Sequence, residues 1–259
     1  MAEGHPPAAA SPAPPPTTTI DVDRFLEEWE EAALNRGLTI ETLEVIDSYP
    51  LVVAFSWPYP DQSGLYLSAG IHGDEPAGPL ALLEAVRGGL LSADTNLVLF
   101  PLLNPTGASR GTRENSRGLD LNRDYRQPVS IEVQAHVRWL LEHGFCYRAV
   151  LGCHEDWECG GGYLYELNPE GAPSLCPSLL EALAPICGVE TTATIDGWPT
   201  NGEGVIHPPS ETLQRPLWPE SIFLVHHFTR LSYTVETPSS LPLQKRIAAQ
   251  LEAIRGFLG

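Results

Sequence analysis

Two short stretches of the chain carry side chains whose types and spacing suit metal and proton chemistry. The first is Gly70-Ile71-His72-Gly73-Asp74-Glu75, where an imidazole and a carboxylate stand three residues apart. A His-x-x-Glu pair on a tight turn clasps one divalent ion, and Gly73, lacking a Cβ, permits that turn. Such a pair is common by chance, so its weight depends on groups farther along. His154 follows one apolar run and Glu236 ends another. Two imidazoles and one carboxylate, with a position left open for water, form a catalytic-zinc ligand set. An ion held that way lowers the pKa of its water to roughly 7, and Glu236 is then suited to take the proton as general base. Arg113, in a polar loop between the two histidines, offers a permanent cation for a developing oxyanion.

The second stretch is Asp120-Leu121-Asn122-Arg123. Asn and Arg side by side bind a carboxylate through a guanidinium fork and an amide donor. Asp120 is suited to accept from the free ring nitrogen of His72 and fix its tautomer. Glu155, Asp156 and Glu158 follow His154 directly. They read either as a hydrated loop or as a partner for a substrate ammonium, Asp156 foremost. Cys153 adjoins His154, but strand alternation turns neighbours to opposite faces, so it reads as a core thiol.

These groups need elements to position them. Residues 65–71 read as a buried strand, and the apolar pattern after Pro76 reads as a helix through Val86. A strand–loop–helix joint of this kind sets side chains at the carboxyl end of a sheet, where open α/β folds hold ligands. Residues 22–33 have helical periodicity, and 38–46 with 51–57 suggest a hairpin. Residues 96–103, 146–153 and 231–236 read as further strands, with helices over 131–141, 175–186 and 241–258. In the last of these, Leu243, Ile247, Leu251, Ile254 and Leu258 form the expected apolar face. Residues 108–127 form a polar, arginine-rich loop of a length that is usually functional or disordered. Residues 155–173 and 196–219 read as loops covering a site. Strands alternating with helices predict a three-layer α/β fold, a mixed and mostly parallel twisted sheet flanked by helices. Residues 1–20 read as a disordered Pro/Ala-rich tail, and 21–259 as one catalytic domain.

Composition narrows the functions. A chain of 259 residues is long enough for one sizeable core. A formal charge of −18 disfavours nucleic acid and anionic membranes as partners, since phosphates repel such a surface. Five cysteines without a C-x-x-C suggest reduced thiols and a cytoplasmic location. No apolar run approaches the roughly 20 residues of a membrane span. The sequence specifies no oligomeric state.

With these residues in view, the chain resembles the zinc carboxypeptidase family. The resemblance rests on His72-Gly73-Asp74-Glu75, Asn104-Pro105-Thr106-Gly107, Thr112-Arg113-Glu114-Asn115, Asp120-Leu121-Asn122-Arg123, His154 and Val235-Glu236-Thr237-Pro238, in the family's order. It implies a carboxypeptidase-like fold and one zinc per chain, held by His72, Glu75 and His154. It further implies that Arg113 polarises the scissile carbonyl, that Asn122 and Arg123 hold the substrate carboxylate, and that Glu236 is base and then proton donor. The short arginine loop looks more like small bacterial members such as murein-peptide amidases, and the succinylglutamate desuccinylase/aspartoacylase group is also similar. One departure stands out. Digestive carboxypeptidases close a tyrosine over the substrate carboxylate from a point some way before the base, yet residues 208–232 contain no tyrosine. Tyr163 or Tyr165 is the expected substitute.

The reading that follows is a zinc-dependent amide hydrolase that removes a terminal residue with a free carboxylate from a small peptide. The first alternative is an N-acyl amino acid deacylase with the same metal apparatus. The second is an inactive protein that binds carboxylate termini.

Overall fold

Three apolar runs, around Leu67, Leu151 and Tyr233, lie side by side at the centre of the molecule and set its plan. The computed structural model describes residues 18–209, 211 and 214–259. Helix α1 (Val22–Asn35) precedes strands β1 (Thr39–Ile46), β2 (Tyr49–Ser56) and β3 (Gly64–Ala69), helix α2 (Ala77–Arg87), strand β4 (Leu97–Phe100) and the short helix α3 (Pro105–Ala108). A 3₁₀ turn (Leu121–Arg123) leads to α4 (Ile131–His143), β5 (Tyr147–Asp156), β6 (Tyr163–Leu167) and α5 (Cys176–Cys187). The two-residue strands β7 (Thr194–Ile195), β8 (Trp198–Pro199) and β9 (Val205–Ile206) follow, then α6 (Glu220–His227), β10 (Ser232–Pro238) and α7 (Leu243–Leu258).

Eight strands form one sheet in the order β1-β2-β4-β3-β5-β10-β6-β9. Its centre, β4-β3-β5-β10, is parallel, while β1, β2 and β6 run antiparallel to their central neighbours. Alternation along β3 sends Leu65 and Leu67 into one core with α1, α2, α5 and α7, and Tyr66 into the other with α4 and α6. The result is the three-layer mixed α/β domain expected from the alternating pattern. No helix among the described residues is long and apolar enough to cross a membrane.

Several local expectations need revision. The tail expectation falls mainly on residues 1–17, outside the described residues; Ile20, its last residue, is buried in the core and donates its N–H to Ala108. The stretch 155–173 is not all loop, because β5 runs on to Asp156 and β6 pairs antiparallel with β10. The glycines before Tyr163 masked a strand that gains its stability from a neighbour distant in sequence. Helix α6 occupies a segment with no expected element, and carries His226 and His227 exposed, away from the cleft described below. On α7 the buried face is Arg246, Ala249, Gln250, Ala253, Ile254 and Phe257, whereas Leu243, Ile247, Leu251 and Leu258 are only partly covered. The face turns because Arg246 and Gln250 find partners at the sheet's end, which compensates their burial.

Candidate active site

Sheet register gathers the chemistry. In the β10–β5 pair Glu236 stands opposite His154, and in the β10–β6 pair Glu236 stands opposite Tyr163. Strand β3 pairs with β5 on its other side, Ala69 opposite Cys153, so the chain leaving β3 delivers His72 and Glu75 to the same rim. There Gly70 takes φ +64, which L side chains rarely adopt, and turns the chain outward. Gly73 is needed for a different reason from the tight turn expected: its φ is not positive, but a Cβ there would lie 2.0 Å from the carbonyl carbon of Gly107. The His72 loop and α3 touch backbone to backbone.

Asn104 ties that contact together. Fully buried, it accepts from Gly107 N–H at 2.8 Å and donates through Nδ2 to the carbonyls of Ile71 (3.3 Å) and Arg113 (3.2 Å). The arginine loop is likewise ordered by short-range bonds to backbone. Asn115 accepts from Arg117 and Leu119 N–H, and Asp120 accepts from Asn122 N–H at 2.9 Å. A long loop so stitched holds side chains as an element would.

His72, Glu75 and His154 are all buried, and they converge. His72 Nδ1 lies 2.6 Å from Glu75 Oε1, and His154 Nδ1 lies 3.0 Å from Glu75 Oε2. One ligand atom from each residue falls within 4.8 Å of the others. Glu75 Oε2 has no hydrogen bond of good geometry despite full burial. Two imidazoles and a carboxylate aimed at one point, with a carboxylate oxygen left without a proper donor, fit a divalent ion of the kind that takes nitrogen and oxygen ligands. Burial opposes charge on His72, but Glu75 and Asp120 outweigh it and raise its pKa; burial also opposes charge on Glu75, yet the two imidazoles hold it well below the ordinary carboxylate range.

Asp120 joins two of the candidates. Its Oδ2 accepts from Arg113 Nε at 3.1 Å and lies 3.1 Å from Arg113 Nη2, while Oδ1 lies 3.4 Å from His72 Nε2. The last is a charge contact, since His72 Nε2 makes no well-aligned hydrogen bond. With two of its nitrogens engaged, Arg113 is left to point Nη1 at the cluster, 3.4 Å from His72 Nδ1 and 3.9 Å from Glu75 Oε1. The Asn122 amide oxygen accepts from Glu220 N–H at 2.9 Å, which leaves its NH₂ for a ligand.

These groups line one cleft of about 550 Å³, with Arg113, Asn122, Arg123, Asp156, Tyr163, Tyr165 and Glu236 around the His–Glu–His cluster. Glu236 is half-buried and has no hydrogen-bonded side-chain partner among the described residues. Burial, and then the carboxylates of Glu75, Asp156 and Asp196, push its pKa up. Tyr163 donates to Asp156 at 3.0 Å and Tyr165 to Asp196 at 2.9 Å. Asp156 also accepts from Glu158 N–H at 2.8 Å. Glu155 is neither hydrated nor aimed at a ligand: it is buried, 2.7 Å from Arg246, and accepts from Ala77 N–H at the start of α2. Cys153 packs in the core as its strand position requires, and burial pushes its thiol up to about 12.

Several residues that support the site lack a signal in the sequence. Gln250, fully buried on α7, donates to the His154 carbonyl at 2.6 Å and to Thr237 Oγ1 at 3.0 Å, joining the rims of β5 and β10. Glu220, at the start of α6, accepts from the Tyr66 hydroxyl and from Ser68 Oγ at 2.8 Å. Tyr66 and Tyr125 in turn bracket the ring of His136, whose pKa burial pushes down to about 3. Arg215, in the loop before α6, lines the cleft beside Arg123. Of these only Glu220 had a local clue, an acid just after Pro219 in a helix's first turn.

Comparison with known proteins agrees with this geometry. The model of the succinylglutamate desuccinylase/aspartoacylase catalytic domain matches residues 61–135, which include His72, Glu75, Arg113, Asp120, Asn122 and Arg123. No curated protein matches the chain by sequence. A candidate metallopeptidase from Shewanella denitrificans superposes with a TM-score of 0.81 at 30% identity, over 92% of this chain and 89% of that one. A metallo-carboxypeptidase from Burkholderia cenocepacia shares the fold with a TM-score of 0.67 at 16% identity, over 93% of this chain and 69% of that one. Bovine thrombin-activatable fibrinolysis inhibitor does so with a TM-score of 0.66 at 15% identity, over 93% and 95%. Through its near full-length relative the chain belongs to the family of that candidate metallopeptidase; it shares the carboxypeptidase fold, its residues 61–135 match the desuccinylase/aspartoacylase catalytic domain, and it is a hydrolase.

Proposed function

We propose that the protein is a zinc-dependent hydrolase that cleaves the amide bond of a C-terminal residue bearing a free carboxylate, in a small peptide. The observation that carries the reading is the meeting of His72, Glu75 and His154 in a cleft also lined by Glu236, Arg113, Asn122 and Arg123. Two imidazole nitrogens and a carboxylate suit zinc, which when bound supplies an acidified water and a Lewis acid for the carbonyl. The chain's own groups do the rest. Glu236, without a hydrogen-bonded side-chain partner among the described residues, accepts the proton of the attacking water and passes it to the leaving nitrogen. Arg113, fixed through Asp120, donates from Nη1 to the carbonyl oxygen as charge develops on it. The Asn122 amide and the Arg123 guanidinium hold the terminal carboxylate and set the scissile bond over Glu236.

Burial of His154 beneath the β5 and β10 rims, joined by Gln250, gives the ligand set a rigid base. A second reading, an N-acyl amino acid deacylase, draws support from the domain model matched over residues 61–135. Metal analysis of the purified protein, then turnover of short peptides, murein peptides and N-acyl amino acids with and without chelator, tests both. Rates that change as residues are added beyond the scissile bond favour the peptidase; rates set by the acyl group alone favour the deacylase. Turnover that survives complete metal removal overturns both.

A further inference from the structure

The cleft holds a pair of arginines, one expected to bind a carboxylate and one not. Arg123 ends the 3₁₀ turn, and its Nη1 donates to the carbonyl of Asn122 at 2.7 Å. Arg215 comes from the covering loop, half-buried, and its Nε donates to the carbonyl of Leu217 at 2.9 Å. Both line the cleft. Burial, and then the charge of Arg123, lower the pKa of Arg215. Among the described residues no carboxylate forms an ion pair with either; Asp120 feels Arg123 but is taken by Arg113. Two guanidiniums in one cleft, neither of them ion-paired among the described residues, leave cationic donors for an anionic ligand.

Arg215 is also held in place from outside the cleft. Arg126 Nη1 donates to the carbonyls of Gln214 (3.2 Å) and Arg215 (2.8 Å), and its guanidinium lies 5.7 Å from the Trp218 ring centre. Tyr125 N–H donates to the Trp218 carbonyl at 3.2 Å. The segment that carries Asn122 and Arg123 therefore fixes the backbone on either side of Arg215. Among the described residues the Nη donors of Arg215 make no hydrogen bond, while Nε anchors the fork.

We propose that Arg215 is a specificity-determining residue that binds the substrate's terminal carboxylate together with Arg123 and Asn122, supplying a contact that digestive carboxypeptidases make with a tyrosine. The leaving residue must then carry a free carboxylate, and blocked termini are rejected. A tyrosine donates one hydrogen bond, whereas a second guanidinium adds a full charge and a bidentate fork. This deepens the reading proposed above and rests on it.

The test uses full-length, zinc-loaded protein and one short peptide in two forms, free acid and C-terminal amide. Arg215→Ala should raise KM for the free acid about 10- to 100-fold, leave kcat within about threefold and leave the amide unaffected, as expected for loss of charged hydrogen bonds to a carboxylate. Arg215→Lys, which keeps the charge and loses the fork, should fall between. Binding of the same two peptides to Glu236→Gln protein, with and without Arg215→Ala, gives the same comparison without turnover. If wild type cleaves the free acid and Arg215→Ala leaves its KM and its preference over the amide unchanged, the role of Arg215 is refuted while the hydrolase reading stands. If wild type cleaves neither peptide, the hydrolase reading fails, and the binding comparison still decides whether Arg215 holds a carboxylate.

Discussion

Replacing Gly73 by alanine asks whether the candidate metal site depends on the close approach of the His72 loop and α3. The added Cβ would lie 2.0 Å from Gly107 C, 2.3 Å from Ala108 N and 2.5 Å from Gly107 Cα, where ordinary contact begins at 3.4 Å. The obstacle is backbone at all three points, so the two segments must part by about 1.4 Å, the difference between 3.4 and 2.0 Å. Two hydrogen bonds that hold the His72 loop across this gap, from Asn104 Nδ2 to Ile71 and from Gly73 N–H to Arg113, already measure 3.3 and 3.4 Å and would break. Overpacking costs about 1–3 kcal/mol and each lost bond about 1 kcal/mol, with partial relaxation, so a loss of about 2–4 kcal/mol is expected. His72 and Glu75 bracket the substituted residue and move with it, and zinc affinity should fall by about 10- to 100-fold or more. Denaturant unfolding in the presence of chelator measures the first quantity and calorimetric metal titration the second. Gly160→Ala serves as control, because its Cβ would meet nothing nearer than Glu190 Oε2 at 4.0 Å. A Gly73→Ala protein within about 0.5 kcal/mol of wild type, with zinc affinity within about threefold, would refute the reasoning.

Other outcomes follow from the same geometry. Glu236→Gln should retain zinc and lose about 10³-fold or more in kcat, read by metal content and initial rates; activity within about tenfold of wild type would remove Glu236 as base. Gln250→Leu leaves the His154 carbonyl without its 2.6 Å donor in a buried position and should cost about 1–3 kcal/mol in unfolding free energy. The chelated protein should be least stable at both pH extremes. The pKa of His72 is raised above its ordinary 6.5, so its contribution is complete below that value and is lost as pH rises through the higher folded-state value. Glu75 and Asp120 are lowered from 4.5 and 3.8, so theirs is complete above those values and is lost as pH falls below them. Denaturant midpoints across pH would show both limbs, and His72→Asn should flatten the alkaline one. A zinc ion bound as proposed competes with the proton for His72, so zinc affinity should climb with pH over the same alkaline window.

The sequence by itself determined what local chemistry can encode. The apolar runs and turn residues gave the strands and helices around His72, His154 and Glu236, because side-chain period and backbone preference act within a few residues. The order of the motifs gave the family. What local pattern could not give is which polar groups meet. Tyr163–Leu167 is a strand because β10 lies beside it, and the glycines that precede it conceal this. Arg246 and Gln250 turn inward because Glu155 and the His154 carbonyl wait at the sheet's rim. Gly73 is required by Gly107, far along the chain, rather than by its own backbone angles. Arg215 shares the cleft with Arg123 in a loop whose backbone Arg126 clamps. Sheet order and register decide such encounters, and they are set by the packing of the whole core, where the energy of a polar contact depends on partners that no window of sequence contains.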